Sequence, residues 1–154
     1  MILVLSLITA IVTSNLTFAE GYNRVEFRYQ SYKPDASIGF YTNQTCSSIN
    51  IDHIVSLKDA YDSGASSWST YKKRTFANDK ANHVPSCGRV NSSKGSTGPK
   101  DFLRRSNDGK GLEYEIIRFC EYVQKYYEVK ADYELSFESN SAETFASCGV
   151  SLIK

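Results

Sequence analysis

Four cysteines behind an uncharged apolar leader constrain this chain more than any other feature. Cys46, Cys87, Cys120 and Cys148 form an even set, with none of the close C-x-x-C pairs that structural zinc favours. Residues 1–19 carry no charged side chain, residues 2–12 are apolar apart from Ser6 and Thr9, and Thr17-Phe18-Ala19 resembles a signal-peptidase site. The apolar run is shorter than the roughly 20 residues a spanning helix needs. A signal peptide over 1–19 is expected, with cleavage after Ala19 and a mature chain of 20–154 that is secreted to an extracellular or periplasmic space and free of the membrane. In that compartment two disulfides are the expected state. Three pairings are open. Cys46–Cys87 with Cys120–Cys148 is favoured, because it would tie the chain before one strand to the next strand and fasten the C-terminus onto a helix.

The 154 residues are 41% hydrophobic, 23% charged and 13% aromatic, which suits one globular domain and excludes a collagen-like or globally disordered chain. The net charge of +1 hides an uneven layout. Residues 70–110 hold ten Lys and Arg against Asp79, Asp101 and Asp108, whereas residues 113–143 hold eight acids against Arg118, Lys125 and Lys130. A basic middle and an acidic tail suit a chain that meets an anionic partner on one face.

Alternation over 49–55 (INIDHIV) predicts a strand, and residues 57–61 open a helix that Ser63-Gly64 should end. A second helix is expected over 68–78, with Trp68, Tyr71 and Phe76 turned inward. Residues 83–90 suggest a strand, and 91–99 (NSSKGSTGP) a polar turn entering a short helix. The longest helical stretch is 113–133, where Ile116, Ile117, Cys120, Val123 and Tyr127 recur at spacings of one, three and four. Residues 22–32 form a short element of open type, and 33–50 are rich in turn residues.

Residues able to do phosphodiester chemistry sit mid-chain. A divalent cation that binds a phosphate wants hard oxygen ligands, which Asp52 and Asn91 can supply. The attacking water needs a base with a pKa near working pH, a task for which the His53 imidazole is suited. Adjacent strand residues point to opposite faces, so Asp52 and His53 flank one atom only at a strand end or bulge.

Asp52-His53-Ile54-Val55-Ser56-Leu57, Ser63-Gly64-Ala65-Ser66-Ser67-Trp68, Phe76-Ala77-Asn78-Asp79 with Asn82, and Asn91-Ser92-Ser93-Lys94-Gly95 with Pro99 stand in that order. This set resembles the secreted HNH-endonuclease family that contains the DUF1524 domain, and the similarity is dense from residue 52 to 103. The resemblance implies an α+β fold: a ββα-metal (HNH) core over 49–105 with additional helices, including a long C-terminal helix, inside a single domain of 20–154. It implies Asp52 and Asn91 as metal ligands, His53 as general base, Asn82 as the residue orienting His53, and Lys94 as a cation beside the phosphate. Many relatives carry His where Asn91 stands. They also have an acidic, cysteine-containing stretch upstream, which is reduced here to Asp35 and Cys46.

The implied activity is metal-dependent hydrolysis of DNA, with RNA as a second candidate, at low sequence specificity. The expected cofactor is Mg²⁺, with Mn²⁺ or Zn²⁺ as alternatives. Arg24, Arg104 and Arg105, along with Lys94, are candidate backbone contacts. His83, beside Asn82, is taken as a packing residue, and Trp68 as core. Since a histidine base must be neutral, activity is expected to rise with pH through roughly 6–7. A monomer is expected. Two alternatives share the motif: an exported nucleic-acid-binding domain without catalysis, and a toxin-type effector nuclease with a cognate inhibitor protein.

Overall fold

A computed structural model of the chain describes residues 21–102 and 115–152. The expected signal segment and the candidate contacts Arg104 and Arg105 lie outside the described residues. The chain opens with a 3-10 turn, Arg24–Phe27, capped by the Asn23 side chain, and Phe27 is fully buried. A tight turn then carries Phe40 and Tyr41 into the core. The first strand, β1 (Ile49–His53), follows the alternation read in the sequence and buries its last two residues. Helix α1 (Leu57–Asp62) starts at Ser56, whose side chain accepts from the Asp59 N–H, and ends at Ser63. Gly64 then turns the chain at φ 131°, a conformation that suits glycine.

Helix α2 (Thr70–Asn78) starts two residues later than the apolar pattern suggested, because Ser69 caps it. That frame places Lys73, Phe76 and Ala77 inward and leaves Tyr71 81% exposed, contrary to the expectation for Tyr71. Lys73 reaches Glu26 at 2.6 Å and so joins α2 to the first 3-10 turn. Strand β2 (His83–Cys87) pairs antiparallel with β1, with His53 opposite His83 and Ile49 opposite Cys87.

The expected strand over 83–90 stops early. The chain turns into helix α3 (Gly88–Lys94), whose first N–H is taken by the Ser48 carbonyl at 2.8 Å. The first part of the segment read as a polar turn is therefore the last turn of a helix, with Ser93 and Lys94 buried; Gly95 ends it at φ 56°, and residues 95–98 turn into the expected short helix. The short α4 (Pro99–Phe102) packs Phe102 against Tyr41 and Tyr122, ring centroids 5.0 and 5.5 Å away.

The long helix is α5 (Phe119–Asp132), shorter than 113–133 and rotated from the expected face. Tyr122, Val123, Tyr126, Val129 and Lys130 point inward, while Ile117 is 60% exposed. The periodicity missed this face because it followed Tyr127 in place of Tyr122 and Tyr126 and passed over Lys130, whose long stem buries well. Helix α6 (Ala142–Ala146) adds Phe145 to the core. Both favoured disulfides are present: Cys46–Cys87 joins the turn region to the end of β2, and Cys120–Cys148 fastens the C-terminal segment to α5. Gly39 sits so close to the first bridge that a Cβ there would lie 2.9 Å from the Cys87 sulfur.

The molecule is thus mixed α and β: one two-stranded sheet and, among the described residues, six α-helices with two disulfides. An ion cluster ties α5 to α1. The Lys130 ammonium lies 3.1 Å from Asp59 and donates to Ser63 Oγ (2.7 Å) and the Ser136 carbonyl (2.9 Å), and Tyr126 donates to Asp59 at 2.5 Å. Lys130 is fully buried, and burial lowers its pKa. Removing only the cation strands a buried carboxylate. Lys130→Met is expected to cost about 3–5 kcal/mol in urea unfolding, and Asp59→Asn in that background to recover part of it.

Candidate active site at the end of the first strand

Asp52 and His53 leave β1 on opposite sides, as strand geometry requires. Each is 5% exposed, and each meets a different set of partners. On one side the Asp52 carboxylate accepts from the Tyr41 hydroxyl at 2.6 Å and lies 3.0 Å from the Lys94 ammonium. Lys94 also donates to the His53 backbone carbonyl at 2.7 Å. One ammonium therefore neutralises the buried acid and fastens α3 to the end of β1. Burial, with the Asp52 charge beside it, pushes the Tyr41 hydroxyl pKa well up, so it stays a donor. Asn91 lies three residues before Lys94 on α3, and that spacing puts it on the helix side that meets β1. Tyr122 brings a fully buried hydroxyl with no hydrogen-bond partner among the described residues, and it feels the charges of Asp59 and Asp52.

On the other side the His53 ring meets the end of α2. Its Nε2 lies 2.9 Å from the Ala77 carbonyl oxygen, and Nε2 of His83 lies 3.1 Å from the same oxygen. A carbonyl only accepts, so both rings carry their proton on Nε2. Nδ1 of His53 is then the nitrogen with the lone pair. Nδ1 of His83 accepts from the Tyr32 hydroxyl at 3.2 Å. The two rings meet edge to face at 4.6 Å, and Tyr29 packs against His53 at the same separation. Burial lowers the His53 pKa to about 3, against the raising effect of the Ala77 hydrogen bond, and His83, Arg24 and Lys94 add to the fall. This corrects the expectation of titration near 6–7: the ring is neutral well below that range.

Asn82 clamps the chain just beyond His53. Its side chain accepts from the Val55 N–H at 2.8 Å and donates to the Val55 carbonyl at 3.1 Å, and its own carbonyl accepts from the Ile54 N–H at 2.8 Å. The Phe76-Ala77-Asn78-Asp79 run divides its work around the same point. Phe76 fills the core and Ala77 supplies the carbonyl. Asn78 accepts from the Gln30 N–H (2.8 Å) and donates to the Arg28 carbonyl (3.2 Å). Asp79 caps the turn Lys80–Asn82 and accepts from Tyr133.

The structure thus gathers Asp52, His53, Asn82 and Lys94 around the end of β1, with the Asp52 and His53 side chains on opposite sides of the strand and Asn91 on the adjoining helix. Lys94 differs from its expected place. It is completely buried and engaged with Asp52 and His53, so in this arrangement it does not serve as an exposed phosphate contact. Arg24 is exposed, with its guanidinium 5.9 Å from the Tyr29 ring centroid and its charge felt by His53. Among the described residues no group of three or more His, Cys, Asp and Glu side chains is arranged to hold a metal. Sequence reasoning missed Tyr41, the Ala77 carbonyl, Tyr29 and His83. Only His83 had a signal, its place beside Asn82, and its pairing opposite His53 depends on strand register.

Three comparisons relate the chain to known proteins. A secreted protein of uncharacterised function from the fungus Arthroderma benhamiae is 34% identical over 95 residues, a match covering 60% of this chain and 42% of the relative. No solved structure matches significantly. Residues 14–147 match the model for the C-terminal domain of GmrSD restriction endonucleases, a span that contains every element from β1 to α6. The chain belongs to that family.

Proposed function

We propose that this chain is a secreted, divalent-metal-dependent HNH endonuclease that hydrolyses DNA, with RNA as a second substrate, at low sequence specificity. The family supports a nuclease acting on nucleic acid. The succession β1, β2, α3, with α3 packed on both strands, has the order a ββα-metal core requires. The observation that carries the reading is the orientation of His53: the Ala77 carbonyl holds the proton on Nε2 and leaves the Nδ1 lone pair free to accept one. The secreted relative and the two disulfides support export, and among the described residues no helix is long and apolar enough to cross a membrane.

The donor set suits a hard, weakly held cation. Asp52 and Asn91 offer a carboxylate and an amide oxygen, and Mg²⁺ is commonly bound by one or two such groups while water and substrate phosphate complete its shell. A carboxylate has about four acceptor positions, and Lys94 with Tyr41 leaves room for a further partner. The metal, when bound, would polarise the phosphate and stabilise the leaving oxygen. The residues themselves do the rest. Nδ1 of His53 takes the proton of the attacking water as its oxygen closes on phosphorus. Asn82 keeps the backbone after His53 from shifting, and the Ala77 carbonyl keeps the ring from turning. Lys94 acts as a positioning residue that holds Asp52 ionised and in place. Arg24, exposed beside Tyr29, is placed to meet a phosphate.

The test is incubation of the oxidised chain with supercoiled plasmid and Mg²⁺ or Mn²⁺. Nicking is expected, and it should vanish with chelator and fall by at least about a hundredfold in His53→Ala. Intact plasmid and intact RNA in every lane, from folded protein, would instead favour a binding-only domain in which Lys94 permanently occupies Asp52. The pH profile should be flat between pH 5 and 8 on the His53 side, since the group loses its proton near 3. A limb rising through 6–7 would show that His53 is not held as described.

Stability carries the same signature with a definite sign. The unfolded histidine titrates near 6.5, so below that pH the unfolded chain binds a proton that folded His53 refuses. Stability therefore falls as pH drops from about 6.5 toward 3. The loss of Tm between pH 7 and pH 4.5 should be smaller in His53→Gln than in the parent.

A further inference from the structure

Beside the two histidines the surface opens into a groove of about 390 Å³, whose lining includes Tyr29, Tyr32, Lys33, Ile49 and Ile51. One wall is the segment after the first 3-10 turn, and the other belongs to β1, whose only strand partner among the described residues is β2. Two of its lining side chains touch the histidines: Tyr29 packs on the His53 ring, and Tyr32 hydrogen-bonds His83. Its size matches the lower part of the roughly 300–1,000 Å³ range of small-ligand sites, so it holds one nucleotide-sized group and not a duplex.

The groove pairs aromatic surface with positive charge. The Lys80 ammonium lies 3.0 Å from the Tyr32 ring centroid, the Arg24 guanidinium lies over Tyr29, and Lys33 is exposed on the lining. Tyr32 itself is 38% exposed. Lys80 is exposed on a four-carbon stem, so it can move to a phosphate while a base takes its place on the ring. Aromatic rings flanked by cations are how proteins hold unpaired bases, because every base has a stacking face and every nucleotide a phosphate. In a duplex those faces are already stacked on their neighbours. Among the described residues no acidic side chain lines the groove to oppose an anion.

We propose that this groove is a subsite for one unpaired nucleotide of a single-stranded nucleic acid, adjoining the phosphate at His53, and that it makes single strands the preferred substrate class. The assignment rests on the nuclease reading for its role but not for its test. Binding is measured in EDTA, where no metal-dependent cleavage proceeds, between the oxidised chain and a short 5′-fluorescein-labelled oligothymidylate or a labelled duplex of equal length.

Single strand is expected to bind more tightly than duplex. Tyr32→Ala should weaken single-strand binding by roughly tenfold while duplex binding changes less than about twofold. Tyr32→Phe keeps the ring and loses the hydrogen bond to His83, and it should bind like the parent. Lys33→Gln should lower the salt slope of binding by about one. Single-strand affinity unchanged in Tyr32→Ala, or lowered equally in Tyr32→Phe, overturns the subsite. If the parent cuts plasmid and either result appears, the groove assignment fails alone. If the parent cuts nothing yet the Tyr32→Ala loss is seen, the subsite stands and the catalytic reading fails.

Discussion

An α-helix cannot satisfy its own last carbonyls. In α2 one of those orphans, the Ala77 oxygen, lies within hydrogen-bond distance of Nε2 on both His53 and His83. That shared acceptor fixes two tautomers at once, because neither ring can offer a lone pair to an oxygen that has no proton to give. It also joins the end of a helix to the ends of both strands, where His53 and His83 face each other across the ladder. The first segment of the chain is held to the same helix end through Asn78, and Tyr29 and Tyr32 then lean on the two histidine rings. Asn82 secures the next two residues of the chain. The chemistry proposed for His53 is a property of this joint.

Behind the joint the core repeats one electrostatic device. Asp52 is matched by Lys94 and the Tyr41 hydroxyl, and Asp59 by Lys130 and the Tyr126 hydroxyl. In each case a lysine that closes a helix face neutralises an aspartate near the start of the fold, and a tyrosine donates a second hydrogen bond to it. Tyr122 sits between the two groups, its ring 5.3 Å from Tyr41 and 5.9 Å from Tyr126. Buried pairs of this kind contribute little net stability but punish the loss of one partner. They therefore specify how α3 and α5 seat against β1 and α1. The disulfides act on the two ends that these pairs do not reach, the turn before β1 and the segment after α6.

Much of this was legible in the sequence. Alternation marked β1, Ser63-Gly64 marked the end of α1, and the four cysteines paired in the favoured way. The ordered motif led to the family, and Asp52, His53, Asn82 and Lys94 all lie at the end of β1, the first two with side chains on opposite sides. What escaped had physical causes. Lys94, Lys130, Tyr122 and Tyr126 are buried although their residue types favour the surface, because each polar end except Tyr122's meets a partner remote in sequence. The start of α3 was hidden because Gly88-Arg89-Val90 continues the look of a strand, and only the Ser48 carbonyl and the bridge at Cys87 turn it. The partners of His53 were hidden because one is a backbone carbonyl and the other depends on register.

The most direct measurement is the protonation of the histidine side chains, by long-range ¹H–¹⁵N correlation on the oxidised chain at pH 6. With two histidines in the sequence, assignment needs only His83→Gln for comparison. The account predicts His53 as a neutral ring protonated on Nε2, with Nδ1 bare. A charged imidazolium at that pH, or a proton on Nδ1, would contradict it, because the Ala77 carbonyl would then not be setting the state of the base.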